Sequence, residues 1–226
     1  LDIGRSGMFD DNGIILGDLI AVDGVLRMYY VGFQKVQKAK FLAYSGLAIS
    51  KDGGESFDRV QETPVMDRVD NALYIRAIHT VLYEEGKYRI WYSVGNGWEI
   101  INGTEYPQYD IRYTESDDGI EFNDCEGVHC IGVQDREYRI GRPRVRKVDG
   151  QYEMRYTYDT LDKEYRSGLA ISEDGINWER QDHLAGLDTS SSGWDSEMAC
   201  YPVIVDWKDC PYMFYSGNGM GLTGVG

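Results

Sequence analysis

Two phrases place a cationic or phenolic side chain directly before a proline: Arg142 in GRPRVRKVDGQYEMRY and Tyr201 in SEMACYPVI. Glu197 stands four residues upstream of Tyr201, and the segment YIRAIHTV carries Arg76 and His79. An arginine fork matches the oxygens of a carboxylate or phosphate, while tyrosine offers a ring face and a hydroxyl. Glu197 has a carboxyl that could serve as a general acid, and Asp11 in FDDNG supplies a second carboxylate. Side chains two apart on a strand point the same way, so Arg142 and Tyr201 share a parity with Arg76, Arg144, Tyr74, Tyr138, Asn12 and Glu197. The chemistry expected of that face is capture of an anionic group, fixed by Arg76, Arg142 and His79.

Each of these residues also has a plainer reading. Arg76 and Arg142 can pair with acids of neighbouring segments, and His79 can be a hydrogen-bonded core residue. Asp10 and Asp11 can simply form an Asp-Asn-Gly turn, and Asp195 can cap the turn into the next strand. Trp98 in VGNGWEI, with Tyr106 and Tyr109 further along, offers either a stacking face for a ligand or packing against a neighbouring sheet. His129 lies close to Cys125 and Cys130, but three ligands crowded into six residues do not suit a tetrahedral site, so no metal is expected. Nothing in the chain calls for a cofactor.

The elements that must hold these residues are written as repeats, which are sought first because their period decides the fold. SKDGGESF, SDDGIEF and SEDGINW begin at Ser50, Ser116 and Ser172, each after a strand-like run and each before Phe57, Phe122 or Trp178. A second element precedes each: an apolar strand, a turn and a Tyr-rich strand. Its four copies fall into register without a gap when aligned on Gly24, Gly86, Gly150 and Asp209. Each unit therefore reads strand, hairpin, strand, longer excursion, strand, SxDG turn, strand, which is a four-stranded antiparallel module. The three SxDG aspartates are read as turn formers, with Gly supplying positive φ.

Modules of this size predict an all-β protein, a β-propeller of four-stranded antiparallel blades. Residues 1–226 are expected to form a single propeller domain with about three complete blades and the start of another, incomplete at both ends. Missing blades or a partner chain would close the ring.

Composition agrees with an all-β reading: 18 Tyr, 5 Trp and 27 Gly stand against only 5 Pro. The 38 acidic and 23 basic residues leave a formal charge of −15, which argues against nucleic acid as a partner. No apolar stretch reaches membrane-spanning length, so no membrane insertion is expected. The four cysteines, Cys125, Cys130, Cys200 and Cys210, match no zinc or redox spacing. Reduced thiols in a cytoplasmic setting are the default, and a Cys125–Cys130 bridge is the alternative if the protein is exported.

The blade pattern, together with FDDNG, GRPRVRKVDGQYEMRY and SEMACYPVI, resembles the five-bladed propeller superfamily of glycoside hydrolases that includes arabinanases, β-xylosidases, invertases and mannoside phosphorylases. The resemblance implies a sugar bound in an axial funnel lined by the first strand of each blade, with acid and base carboxylates delivered by successive blades. Pro143 and Pro202 match the prolines of the family's Asp-Pro and Glu-x-Pro phrases, with His79 and Gly17 at the same level. The residues just before them are Arg142, Tyr201, Ile78 and Leu16, and one earlier come Gly141, Cys200, Ala77 and Ile15, none of them a carboxylate. The expectation is therefore an anionic or phosphorylated sugar bound by Arg76, His79, Arg142, Tyr201, Asp10, Asp195 and Trp98, with Glu197 and Asp11 as noncanonical catalytic carboxylates. The alternative is a carbohydrate-recognition or scaffolding domain without catalysis.

Overall fold

The SxDG turns set the frame. In the computed structural model, which describes residues 1–123, 126–208 and 210–226, Ser50, Ser116 and Ser172 each donate a hydroxyl to the Asp two residues on. Those carboxylates in turn accept backbone N–H groups, Ser56 at Asp52, Ile120 and Glu121 at Asp118, and Ile176 and Asn177 at Asp174. They are turn formers, as the sequence predicts.

The described chain divides into two compact units, residues 1–129 and residues 130–226. In the first, β1 (Ile14–Val22), β2 (Val25–Gln34), β3 (Leu42–Ser50) and the short β4 (Asp58–Arg59) form one antiparallel module. A second module begins with β5 (Ile75–Glu84), β6 (Lys87–Ile101) and β7 (Thr104–Ser116), while β8 (Val128–Ile131) crosses the division between the units. The second unit holds β9 (Glu137–Val148), β10 (Gln151–Thr160), β11 (Arg166–Ser172) and β12 (Glu179–Arg180), in the order β12-β11-β10-β9. It ends with the hairpin β13 (Cys200–Trp207) and β14 (Cys210–Ser216). The strand order and SxDG placement read from the repeats are thus those observed.

Two-residue turns close the hairpins. Asp23-Gly24, Glu85-Gly86, Asn102-Gly103 and Asp149-Gly150 have positive φ at both positions, the geometry whose twist matches the flanking strands. The excursion carrying Trp98 is a prolongation of the β6–β7 hairpin, interrupted by a register shift between Val94 and Gly97. In the first unit the core gathers Tyr29, Leu47, Ile78, Val81, Ile90 and Tyr92, all essentially inaccessible. Each such side chain contributes roughly 1.5–3 kcal/mol by leaving water.

The first strand of every module breaks register at one level. Gly17 bulges in β1, His79 in β5, Arg142-Pro143 in β9 and Tyr201-Pro202 in β13. These are the residues that the gapless repeat alignment brings together. Within the first unit, β1 and β5 touch backbone to backbone here: a Cβ added to Gly17 would fall 2.4 Å from the Ile78 carbonyl oxygen. Beside it, the Val81 N–H donates to Asp18 Oδ2 at 2.7 Å.

A serine of the repeated SGLAIS phrase ties the third strand of one module to the first strand of the next. Ser45 Oγ donates to the Arg76 carbonyl at 3.0 Å and accepts from the Ile78 N–H at 2.7 Å. Ser167 Oγ donates to the Ala199 carbonyl at 2.9 Å, the equivalent position. Parallel pairing accompanies both ties, Ala43 with Ile75 and Tyr165 with Met198.

Two outcomes are expected. Gly17→Ala should cost about 1–3 kcal/mol by overpacking against the Ile78 carbonyl, read as a lower urea midpoint at constant slope. The Asn177 and Ile176 N–H groups and the Ser172 hydroxyl hold the Asp174 carboxyl well below the usual carboxylate range. A depressed folded-state value gives stability that is full above the unfolded-state value near about 4 and is lost progressively below it. Asp174→Asn should therefore melt below wild type at pH 7, and the gap should close as pH falls from about 4 towards 2. A gap unchanged across that range would contradict the assignment.

Candidate functional site

The bulges decide which side chains the first strands present. A bulge adds one residue to a strand and re-aims the side chains around it, so strict alternation does not carry across Arg142-Pro143 or Tyr201-Pro202. Arg142 and Tyr201 both have positive φ, 52° and 57°. Backbone of this kind is costly for non-glycine residues and persists where surrounding structure holds it. Here the Tyr201 N–H donates to Thr157 Oγ1 at 2.8 Å. The result brings the two residues together, with the Arg142 guanidinium 4.3 Å from the centroid of the Tyr201 ring.

Around this pair the second unit builds a connected cluster. The Tyr201 and Tyr165 hydroxyls are 3.0 Å apart, and the Arg139 guanidinium lies 4.9 Å from the Tyr165 ring centroid. Arg139 donates to Asp159 Oδ2 at 2.7 Å, and the same oxygen accepts from Lys163 Nζ and the Tyr138 hydroxyl. Lys163 also reaches the Tyr138 hydroxyl at 2.6 Å. Asp159 is fully buried, and its Oδ1 is buried without a hydrogen-bond partner. Burial lowers the Lys163 ammonium from its ordinary value, against the opposing pull of Asp159. Burial likewise pushes the Cys200 thiol up to about 12 despite Arg142 and Arg139, so Cys200 stays protonated and packs as an apolar group.

Three cations, Arg139, Arg142 and Lys163, are gathered around one buried carboxylate in a protein of charge −15. Guanidinium forks match anionic oxygens, and the tyrosines give ring faces and hydroxyls suited to a polyhydroxyl ligand.

Asp195 and Glu197 enter β13 from the preceding loop. Asp195 is buried and accepts the Tyr215 hydroxyl at 2.8 Å. That bond and one to Ser190 hold its carboxyl below the usual range. Glu197 has its backbone N–H pinned by Asn218 Oδ1 at 2.8 Å, while its side chain is exposed.

The remaining sequence candidates belong to the first unit. Arg76 is buried, donates to the Asp67 carbonyl at 2.7 Å and lies over the Tyr92 ring. His79 is buried at its bulge. Asp10 is fully buried in an ion pair with Arg59, whose Nε and Nη2 reach its Oδ2 at 3.0 and 2.7 Å. Asp11 Oδ2 accepts the Gly7 N–H at 2.9 Å, closing the turn before β1, and its Oδ1 is buried without a partner. Trp98 packs edge-on against Phe41 and Tyr74, with ring centroids 5.3 and 5.7 Å away. The structure thus brings Arg142 to Tyr201, while Arg76, His79, Asp10, Asp11 and Trp98 each sit in different surroundings within the first unit.

Among the described residues no group of three or more His, Cys, Asp or Glu is placed to hold a metal. His129 Nε2 lies 3.7 Å from Asp110 Oδ2. Cys125, the other half of the candidate bridge to Cys130, lies outside the described residues, and Cys200 and Cys210 are free thiols. No helix is long and apolar enough to cross a membrane among the described residues.

Sequence reasoning did not single out Asp159, Arg139, Lys163 or Tyr165. One signal was present: at the repeat position of Asp159 the other copies carry Phe33, Gly95 and Asn218. A lone carboxylate at the end of a Tyr-rich strand marks that module as different.

No family model matches the chain. It is 32% identical over 223 residues to the uncharacterized protein Rv1502 of Mycobacterium tuberculosis, covering 99% of this chain and 73% of that protein. A second relative, a β-1,2-mannobiose phosphorylase of Thermoanaerobacter sp., is 31% identical over 109 residues, 43% of this chain and 35% of that enzyme. Among solved structures, a glycoside hydrolase superposes with a TM-score of 0.71 at 18% identity, over 96% of this chain and 69% of its own. A thermostable family-43 glycoside hydrolase gives 0.67 at 20% identity, over 90% and 65%. The chain belongs to the family of the M. tuberculosis protein, and it shares its fold with the glycoside hydrolases on which it superposes.

Removing the charge of Asp159 takes a carboxylate from the buried Arg139 and the half-buried Lys163. Asp159→Asn should cost about 3–5 kcal/mol. Lys163→Met, which leaves the Arg139–Asp159 pair intact at a partly exposed site, should cost about 1 kcal/mol or less. Chemical denaturation of the two variants checks the ranking.

Proposed function

We propose that the protein is a carbohydrate-active propeller that binds a sugar bearing an anionic or phosphoryl group. The observation that carries this reading is the Arg142–Tyr201 pair, set side by side by two bulges with positive φ and backed by Arg139 and Lys163. Guanidinium forks recognise phosphate or carboxylate oxygens, and the phenol rings suit the apolar face of a pyranose. The partial likeness to a phosphorylase, whose name implies transfer to phosphate, supports the same direction. Asp195 is proposed to flank the ligand from the loop before β13.

For catalysis, the exposed Glu197 carboxylate is proposed as the acid. The ring is read as five-bladed. Pairing of Gly226 with Tyr215, both N–H to carbonyl, supports a third strand on β14 in the register that Gly168 holds on β10 opposite Tyr156.

A second reading, recognition without turnover, is favoured by one observation: the residues before the bulges are Leu16, Ile78, Arg142 and Tyr201, none of them a carboxylate. Calorimetric titration with hexose phosphates and the matching free hexoses tests the proposal. The phosphates should bind more tightly, and Arg142→Ala should weaken them by about tenfold or more, close to the free sugars. Equal affinity for both classes would sink the anion argument. If turnover is found, Glu197→Gln should abolish it while sparing binding.

A further inference from the structure

The first unit holds a cavity of about 360 Å³ that neither the Arg142–Tyr201 cluster nor the bulges use. Its walls are the turn from Arg5 to Phe9, Gln34 at the end of β2, Tyr44 of β3 and the loop between Glu62 and Arg68. The volume falls in the range of small-ligand pockets.

Its chemistry is that of a paired, charge-balanced lining. Arg5 bridges two walls at the rim, its Nε donating to Glu62 Oε1 at 3.2 Å. Arg68 lies over the Tyr44 ring at 5.3 Å, with its Nε 3.8 Å from Asp67 Oδ1. Two guanidinia and two carboxylates sum to zero, so the lining gives an anion no advantage. Each pair does place a donor beside an acceptor. Adjacent hydroxyls of a pyranose each donate and accept, and such pairs satisfy both roles at once. Met8, Phe9 and Pro64 supply apolar surface below. Behind the Arg5–Phe9 wall, Asp11 ties the turn to its own carboxylate through the Gly7 N–H, which leaves the buried Oδ1 with no hydrogen bond. The rim pairs are highly exposed, and exposed ion pairs add little to stability. A role in holding the fold together therefore does not account for them.

We infer that this cavity binds an uncharged mono- or disaccharide, as a second site made wholly from residues of the first unit. It does not depend on the anionic reading of the Arg142–Tyr201 cluster.

Wild-type protein is titrated calorimetrically with mannose, glucose, mannobiose and cellobiose, with and without excess inorganic phosphate. At least one neutral sugar should bind saturably, unaffected by phosphate. Glu62→Gln and Arg68→Ala should each weaken it by about tenfold while keeping the wild-type melting temperature. Gln34→Ala serves as the third variant should either of those lose its fold. Arg142→Ala should bind the neutral sugar as wild type does. Absence of saturable binding, unchanged affinity in the rim variants, or loss in Arg142→Ala would each overturn the assignment. Retained neutral-sugar binding alongside equal affinity for phosphorylated and free hexoses would sink only the anionic reading.

Discussion

The close approach of first strands at their bulges is the constraint on which the rest depends. Where β1 meets β5, the Gly17 backbone lies so near the Ile78 carbonyl that no side chain fits between them. Asp18 then takes the Val81 N–H, and Ser45 takes the backbone on either side of Ala77. Hydrogen-bonding groups freed by the bulge are buried, so each needs a partner from another strand. The partners come from conserved places in the repeat, which is why the same serine does the same work at Ala199. Local irregularity in the ladder is thereby converted into fixed spacing between modules.

That spacing makes the second-unit cluster possible. Arg142 and Tyr201 would follow ordinary alternation in a regular ladder, but the bulges and their positive φ turn one onto the other. Asp159 then organises the cations behind them. One of its oxygens gathers Arg139, Lys163 and the Tyr138 hydroxyl in a buried setting where an unpaired charge would be strongly unfavourable. Cations gather here in a strongly acidic chain, where many acids are committed to other partners. Asp52, Asp118 and Asp174 hold turns, Asp10 neutralises Arg59, and Glu137 with Asp182 neutralises Arg180. Net charge governs the whole surface, whereas the charge of a site follows from which acids remain uncommitted nearby.

The SxDG phrases and the paired turns were legible because their chemistry is local. Asp and Ser of one phrase bond backbone groups within a few residues, and Gly24, Gly86 and Gly150 occupy turn positions that favour glycine. Gapless alignment of the copies put Gly17, His79, Pro143 and Pro202 on one level, and the structure shows that each first strand bulges there. Parity was a poorer guide to the site. It counts faces correctly only along an unbroken strand, and every first strand here is broken at the level that matters.

By itself, then, the sequence determined the modules: four-stranded units, their order, their turns and the shared level of Gly17, His79, Pro143 and Pro202. These follow from side-chain period and from bonds spanning a few residues. Only the tertiary structure decided that Asp159 from β10 meets Arg139 and Lys163, that Arg142 lies on Tyr201, and that Asp10 is spent on Arg59. Those meetings join separate strands and turns through bulges, φ reversals and burial, and no spacing along the chain encodes them.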